Sequence, residues 1–395
     1  MSQSKLFSIG KPNASHKILE ELTISPTLRS RINTCTQGSC SGSGNVGGRY
    51  VLYLPTVSLR KKHNPAFALA CHLANHLNLP CLVLYTILDD DSLPLLKKNN
   101  NNNINNTSFF SPICMTSRRL AFLTEAISET GPEWSKHGAG VAIRVHGPSC
   151  RNPDYLTLTH GAGVVVMDEP FVHPFVSLVR RVELACRKSN TTCVRVDGST
   201  TVPPVSILDQ KTSVGGEGGK GGGNVEYKGV PTKAWAWQKK TEKFRRDQIT
   251  NVVEKGAFDA PELMIRVEEE DFFLNTTKCG DDCEAKNDEM AFDCTNDDKE
   301  EDTSRIKAIH YTDFPPLWQN RDTPAPGKRP WTISELNDLV LSGPNAIKEW
   351  SLSWPGADPT VPPCTQTVGT SSAGIIRWNS WVRDRKGLTN YARKR

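Results

Sequence analysis

A five-residue apolar run, Tyr50–Leu54 (YVLYL), lies between Gly47–Gly48 and Pro55 and constrains the fold more than any other stretch. It is too short for a helix. Every position is apolar, so both faces of an extended strand are buried, as in a parallel sheet. A polar loop carrying Arg60, Lys61, Lys62, His63 and Asn64 follows, and Pro65 stands where a helix favours its first residue. Ala66, Leu69, Leu73 and Leu77 then recur at helical spacing, with His72, Asn75 and His76 on other faces. Leu79–Pro80 stops that helix before a second buried strand, Cys81 to Tyr85. The unit is βαβ and is expected to cross over right-handed.

The pattern repeats. Thr116 or Ser117 can cap a helix striped by Leu120, Leu123 and Ile127, and Val141 to Val145 reads as a third strand. Asn152–Pro153 starts a short helix that Gly161 can end, and Val164 to Met167 is a fourth strand. Phe175, Leu178, Val182 and Cys186 stripe another helix, and Cys193 to Val196 is a fifth strand. The expected fold is α/β: a five-stranded parallel Rossmann-like sheet with helices on both faces, over residues 49–210. A long connector, residues 211–340, with glycine-rich and acidic low-complexity segments, leads to a helical segment over 341–395. The last part reads as a helix carrying Ile375, Trp378, Trp381 and Val382, and structure is also expected near residues 315–318 and Trp331. Residues 1–48, rich in Ser, Gly and Asn, read as a disordered or organelle-targeting leader, although Glu20 and Glu21 argue against a transit peptide.

A chain of 395 residues has room for two or three domains. The net charge of +5 hides segregation: residues 268–302 are strongly acidic, whereas 377–395 carry one acid, Asp384, among many bases. That basic run reads equally as a nucleic-acid-facing surface or a solvated helix end. Residues 97–106 read as an asparagine-rich solvated loop, and 100–106, 215–223 and 268–302 have too little apolar surface to offset chain entropy and are expected to be mobile. No apolar run reaches membrane-spanning length, so no membrane partner is expected. Of twelve cysteines, Cys71, Cys81, Cys186 and Cys193 fall inside apolar patterns, and with no signal peptide they read as buried thiols in an intracellular, reducing compartment. The nucleus or an organelle is compatible with this.

Signals for chemistry are sparse. The glycine run at 215–223 lacks the Ser or Thr after Lys220 that a phosphate loop uses on magnesium, and no strand precedes it. The turn from Pro55 to Asn64 has no glycine fingerprint for a dinucleotide. Cys279, Cys283 and Cys294 could be most of a zinc site, but the spacing is irregular and a fourth ligand is missing. His72 and His76 share a helix face without the glutamate of a His-Glu-x-x-His motif, so surface histidines are the expectation. Asp168–Glu169 follow the fourth strand and could pair their carboxylates, but the favoured reading is that they cap a loop or helix. No nucleophile and base stand in a hydrolase order, so no catalytic residue and no metal ligand is assigned. The residues alone imply an α/β domain with a carboxyl edge suited to a flat or phosphorylated ligand.

Several stretches together resemble the photolyase/cryptochrome family, most closely the class II DNA photolyases. Leu59, Arg60, His63, Asn64, Pro65 and Ala66, then Leu79–Pro80, resemble the family's first βα unit, and Arg118 to Leu123 resemble the helix before its third strand. Val196, Asp197, Gly198, Ser199, Thr200, Thr201, Val202, Pro203, Pro204 and Val205 resemble its exit from the fifth strand, and residues 227–249 its connector. Asp358, Pro359, Thr360, Val361, Pro362, Pro363, Gly369, Ala373, Gly374, Arg377, Trp378, Leu388, Tyr391, Ala392 and Arg393 resemble the start of the helical flavin domain.

The resemblance implies light-driven repair of cyclobutane pyrimidine dimers, with FAD and an antenna chromophore as cofactors and UV-damaged DNA as partner. It implies a phosphate-side contact to FAD at Tyr391, the one cofactor-binding position assigned. Tyr53, Leu54 and Pro55 stand where the family usually has tyrosine, tryptophan and methionine. Only the beginning of the flavin domain is matched, so this chain is expected to be a truncated relative that does not itself repair DNA. Alternative readings are a non-catalytic chromophore- or nucleotide-binding module and a cryptochrome-like photoreceptor remnant.

Overall fold

A computed structural model of the chain describes residues 17–36, 48–87, 115–145, 154–172, 175–200, 209–210, 227–228, 241–242, 244–247, 250–269 and 329–383. Two short helices, α1 (Lys17–Glu21) and α2 (Pro26–Arg29), precede strand β1 (Ile32–Thr36). Then come β2 (Tyr50–Leu54), α3 (Pro65–Leu77), β3 (Cys81–Ile87), α4 (Ser117–Lys136) and β4 (Gly140–Val145). Next are α5 (Asp154–Thr157), β5 (Ala162–Asp168), α6 (Phe175–Lys188) and β6 (Thr192–Val196).

The six strands form one sheet in the order β1-β6-β5-β2-β3-β4. Strands β2 to β6 are mutually parallel, and the chain reverses direction across the sheet between β2 and β5. This is a doubly wound order, with its topological switch point between those two strands. Side chains of β2 and β3 alternate between two cores. Val51, Tyr53, Val83 and Tyr85 pack with Leu69, Leu73, Leu120 and Trp134 of α3 and α4. Leu52, Leu54, Leu82 and Leu84 pack with Leu178 and Val182 of α6 on the other face. All five residues of β2 are buried, which is why its sequence does not alternate.

The expectation of five parallel strands is corrected at one edge. Strand β1 adds a sixth, antiparallel to β6, with Ile32 opposite Val196 and Asn33 opposite Arg195. Residues 17–36, expected to be disordered leader, therefore belong to the sheet domain. An edge strand whose described residues, Ile32 and Asn33, are only partly buried does not need the apolar run that marks β2. Ser25 caps α2, and Leu28 is fully buried against Ala68 and Phe258.

Local chemistry sets the helix ends. Asn64 caps α3 by accepting from the N–H groups of Ala66 and Phe67 at 3.0 and 3.1 Å, and Pro65 occupies the first position. Asn78 ends α3 in the left-handed conformation at φ 51°. Thr116 caps α4. Cys71, Cys81, Cys186 and Cys193 are free and fully buried, as expected.

The C-terminal part packs on α4. Trp331 exchanges both backbone hydrogen bonds with Ile143 at 2.7 and 2.9 Å, covering the outer edge of β4. Helices α7 (Ile333–Leu341) and α8 (Ala346–Ser353) follow, with Thr332 and Glu335 forming a capping box for α7. Gly131 of α4 lies close against Ile333, whose side-chain end would have to move to admit a Cβ, 2.4 Å away. The division drawn at residue 340 thus falls inside α7, a helix seated on the sheet domain. Helix α9 (Ser371–Arg383) begins on α4 and contains no buried residue; Ile375 and Trp378 are 60% and 62% exposed.

Candidate functional site: the carboxyl edge of the sheet

In a doubly wound sheet, ligands bind beyond the carboxyl ends of the strands at the switch point. Here that position lies between the ends of β2 and β5. Strand β2 runs into Pro55, Thr56, Val57 and Ser58, and β5 ends in Asp168. The Asp168 carboxylate accepts the N–H groups of Thr56, Val57 and Ser58 on one oxygen, at 2.8, 2.8 and 3.0 Å. Its other oxygen accepts the Tyr53 hydroxyl at 3.2 Å. Burial, followed by the Asp168 charge, pushes the Tyr53 phenol well above its ordinary value, so it is held as a neutral donor. Asn64 completes the loop by donating to Ser58 O at 2.9 Å. The β6 exit comes close to this loop at Gly198, where a Cβ would lie 2.5 Å from Ser58 Oγ and require that hydroxyl to turn away.

On the α6 side of the same edge opens a small cleft that widens toward solvent. Leu54, Leu84, Met167, Leu178 and Val182 make its apolar wall, and Thr56, Thr86, Arg119 and Tyr155 bring polar groups to it. Thr56 Oγ1 and Thr86 Oγ1 are buried and have no hydrogen-bond partner. Buried hydroxyls without partners are uncommon in folded proteins and carry a desolvation cost. Tyr155 is positioned by the start of α5, where Asp154 pairs with the fully buried Arg144 of β4 at 2.7 Å. Burial raises the Tyr155 phenol from its ordinary value, against the nearby Arg181, whose guanidinium donates to its hydroxyl at 3.3 Å.

The candidate residues from the sequence distribute unevenly over this geometry. Asp168 reaches the switch point and caps a loop there, the favoured of the two readings. Glu169 does not pair with it: it meets Arg195 at 3.3 Å and accepts from Asn33 at 3.1 Å. Burial, reinforced by Glu183 and Asp197, raises the Glu169 carboxyl despite Arg195 and Asn33. His72 is half-buried and its burial lowers its pKa, while the exposed His76 lies 3.7 Å from Glu21. Among the described residues no group of three or more His, Cys, Asp or Glu could hold a metal. Tyr391, Cys279, Cys283, Cys294, the glycine run at 215–223 and residues 97–106 lie outside the described residues, as does nearly all of the acidic segment. Among the described residues, no helix is long and apolar enough to cross a membrane.

Thr56, Thr86, Arg144 and Tyr155 carried no signal strong enough to be singled out as site residues. A threonine and an arginine at the carboxyl ends of otherwise apolar strands, Thr86 in β3 and Arg144 in β4, are the trace that could have pointed to them. No protein-family model matches the chain, and no curated protein matches it either.

Proposed function

We propose that this chain is a photolyase/cryptochrome-type α/β module, related to class II DNA photolyases, whose carboxyl-edge cleft holds a light-absorbing antenna chromophore. One observation carries the reading: an apolar cleft at the switch point of a doubly wound sheet, furnished with two buried hydroxyls that lack partners. A flat ring system would fill the apolar walls, and polar atoms on its edge would satisfy Thr56 and Thr86. The sequence resemblance supports a chromophore over other flat ligands. It also brings FAD, through Tyr391, and UV-damaged DNA into the proposal.

Light-driven repair asks more of a protein than this cleft supplies. FAD must be enclosed on most sides, and a damaged base must be flipped out and held beside it. Helix α9, where the resemblance to the flavin domain lies, contributes no buried residue among those described. The α/β module is therefore proposed to bind its chromophore without itself repairing dimers. The test is purification from a flavin-replete host, a near-ultraviolet and visible absorption spectrum, and a dimer-repair assay under blue light. A bound antenna chromophore without repair supports the proposal. Stoichiometric FAD with light-dependent repair contradicts the second half, and a protein that neither retains nor takes up any chromophore contradicts the first.

A further inference from the structure

The sequence leaves two ligand classes open at the carboxyl edge, flat or phosphorylated, and the geometry separates them. A doubly wound domain holds a nucleotide's phosphate with two devices, the free N–H groups of the first βα turn and the N-terminus of the helix that follows. Both are already filled in this chain by its own side chains. The three turn amides converge on Asp168, which is fully buried, and the second Asp168 oxygen is held by Tyr53. At the start of α3, Ala66 and Phe67 donate to Asn64. The neighbouring helix α4 is spent as well: Ser117 and Arg118 donate to the carbonyls of Asp358 and Val361, and Arg119 to Thr116.

We infer that Asp168 is an internal anion standing where nucleotide-binding domains of this topology hold a phosphate, so that the cleft takes an uncharged, flat heteroaromatic ligand through Thr56 and Thr86 and gains nothing from a phosphate. The inference rests on the proposed reading that the cleft is a ligand site. Thr56 joins the two features, since its N–H points to Asp168 while its side chain lines the cleft. A second anion beside Asp168 would meet like charge, and the three turn amides are already taken. Deeper in the cleft the wall is apolar, and an unpaired charge there is costly. Arg119 is a cation among the lining residues, and it is not free of partners within the chain. What remains for recognition is ring area and the two hydroxyls, each worth about two- to tenfold in affinity when it gains a partner.

The experiment uses the full chain and two probes that differ only in a phosphate, riboflavin and flavin mononucleotide, followed by quenching of flavin fluorescence. Riboflavin is expected to bind at least as tightly as flavin mononucleotide, because the phosphate meets like charge and finds no net stabilisation. Thr56→Val and Thr86→Val should each weaken riboflavin by about two- to tenfold. In parallel, inorganic phosphate should raise the unfolding temperature of Asp168→Ala, whose turn amides are open, and leave that of the native chain unchanged. Flavin mononucleotide binding the native chain tenfold or more tighter than riboflavin overturns the inference, as does stabilisation of the native chain by phosphate. If neither flavin binds while phosphate stabilises only Asp168→Ala, the cleft is not a ligand site but Asp168 is the internal anion. Should Asp168→Ala fail to fold even in phosphate, the flavin pair on the native chain decides alone.

Discussion

Glu129 of α4 accepts the backbone N–H of Ser372 on both carboxylate oxygens at 3.2 Å, and takes the Ser372 hydroxyl as well. This clamp fixes the first turn of α9 to the sheet domain. Lys61 from the β2–α3 loop joins it at 3.3 Å, and Ser371 donates to Leu59 O at 3.2 Å. The start of the C-terminal helix and the loop leading from the switch point are thus tied together.

The clamp should be sensitive to acid. Burial alone would raise the Glu129 carboxyl, but hydrogen bonds from Ser372 and the charge of Lys61 outweigh it and hold the group below its ordinary value. A depressed folded value means that the stabilisation is fully present above the unfolded value. It is lost as pH falls through the folded one. Amide-exchange protection at the start of α9 should therefore fall in acid below the ordinary carboxylate range, and Glu129→Gln should flatten that dependence. Protection that ignores pH, or an unchanged profile in Glu129→Gln, would count against the clamp.

Trp134 is the keystone of the α3/α4 core. Its ring stacks between Phe67 at 4.8 Å and Tyr85 at 5.3 Å, while its indole N–H has no partner. Trp134→Ala should cost about 3–5 kcal/mol of stability, the range for truncating a buried aromatic. Trp134→Phe should cost much less, because it keeps a stacking ring and loses no hydrogen bond. Denaturant titrations of the two variants check this, and equal losses would mean that a stacking ring at this position contributes nothing.

Thr86→Val separates ligand recognition from folding. The Thr86 hydroxyl is buried without a partner, so replacing it by a methyl of similar shape removes a desolvation cost rather than a bond. The unfolding midpoint should stay level or rise slightly. A drop of more than about 1 kcal/mol would show that the hydroxyl is already used within the fold.

The parallel core was legible in the sequence for a simple reason: strands buried on both faces leave uninterrupted apolar runs. The runs from Tyr50, Cys81, Val141, Val164 and Cys193 all became strands, and Asn64, Pro65 and Thr116 took the helix-start positions their chemistry favours. Strand β1 was illegible because its residues, INTCT, mix polar and apolar types, and neither Ile32 nor Asn33 is fully buried at this edge. Asp168 was legible as a cap, but not the three amides it receives, which depend on a loop more than a hundred residues away. The cleft was not legible at all. Thr56, Thr86 and Tyr155 come from three separated segments, and only the order of strands brings them to one edge.

The most direct test of the central claim is a comparison of chromophore retention between the native chain and Leu178→Trp. Leu178 lines the cleft, and the larger ring should occupy it at a cost of about 1–3 kcal/mol for overpacking, leaving the fold intact by circular dichroism. The native chain should bind a flat heteroaromatic probe such as riboflavin with one-to-one stoichiometry, and the folded Leu178→Trp variant should lose at least tenfold in affinity. Equal binding by both folded proteins, or binding by neither, would contradict a ligand site at the carboxyl edge of the sheet.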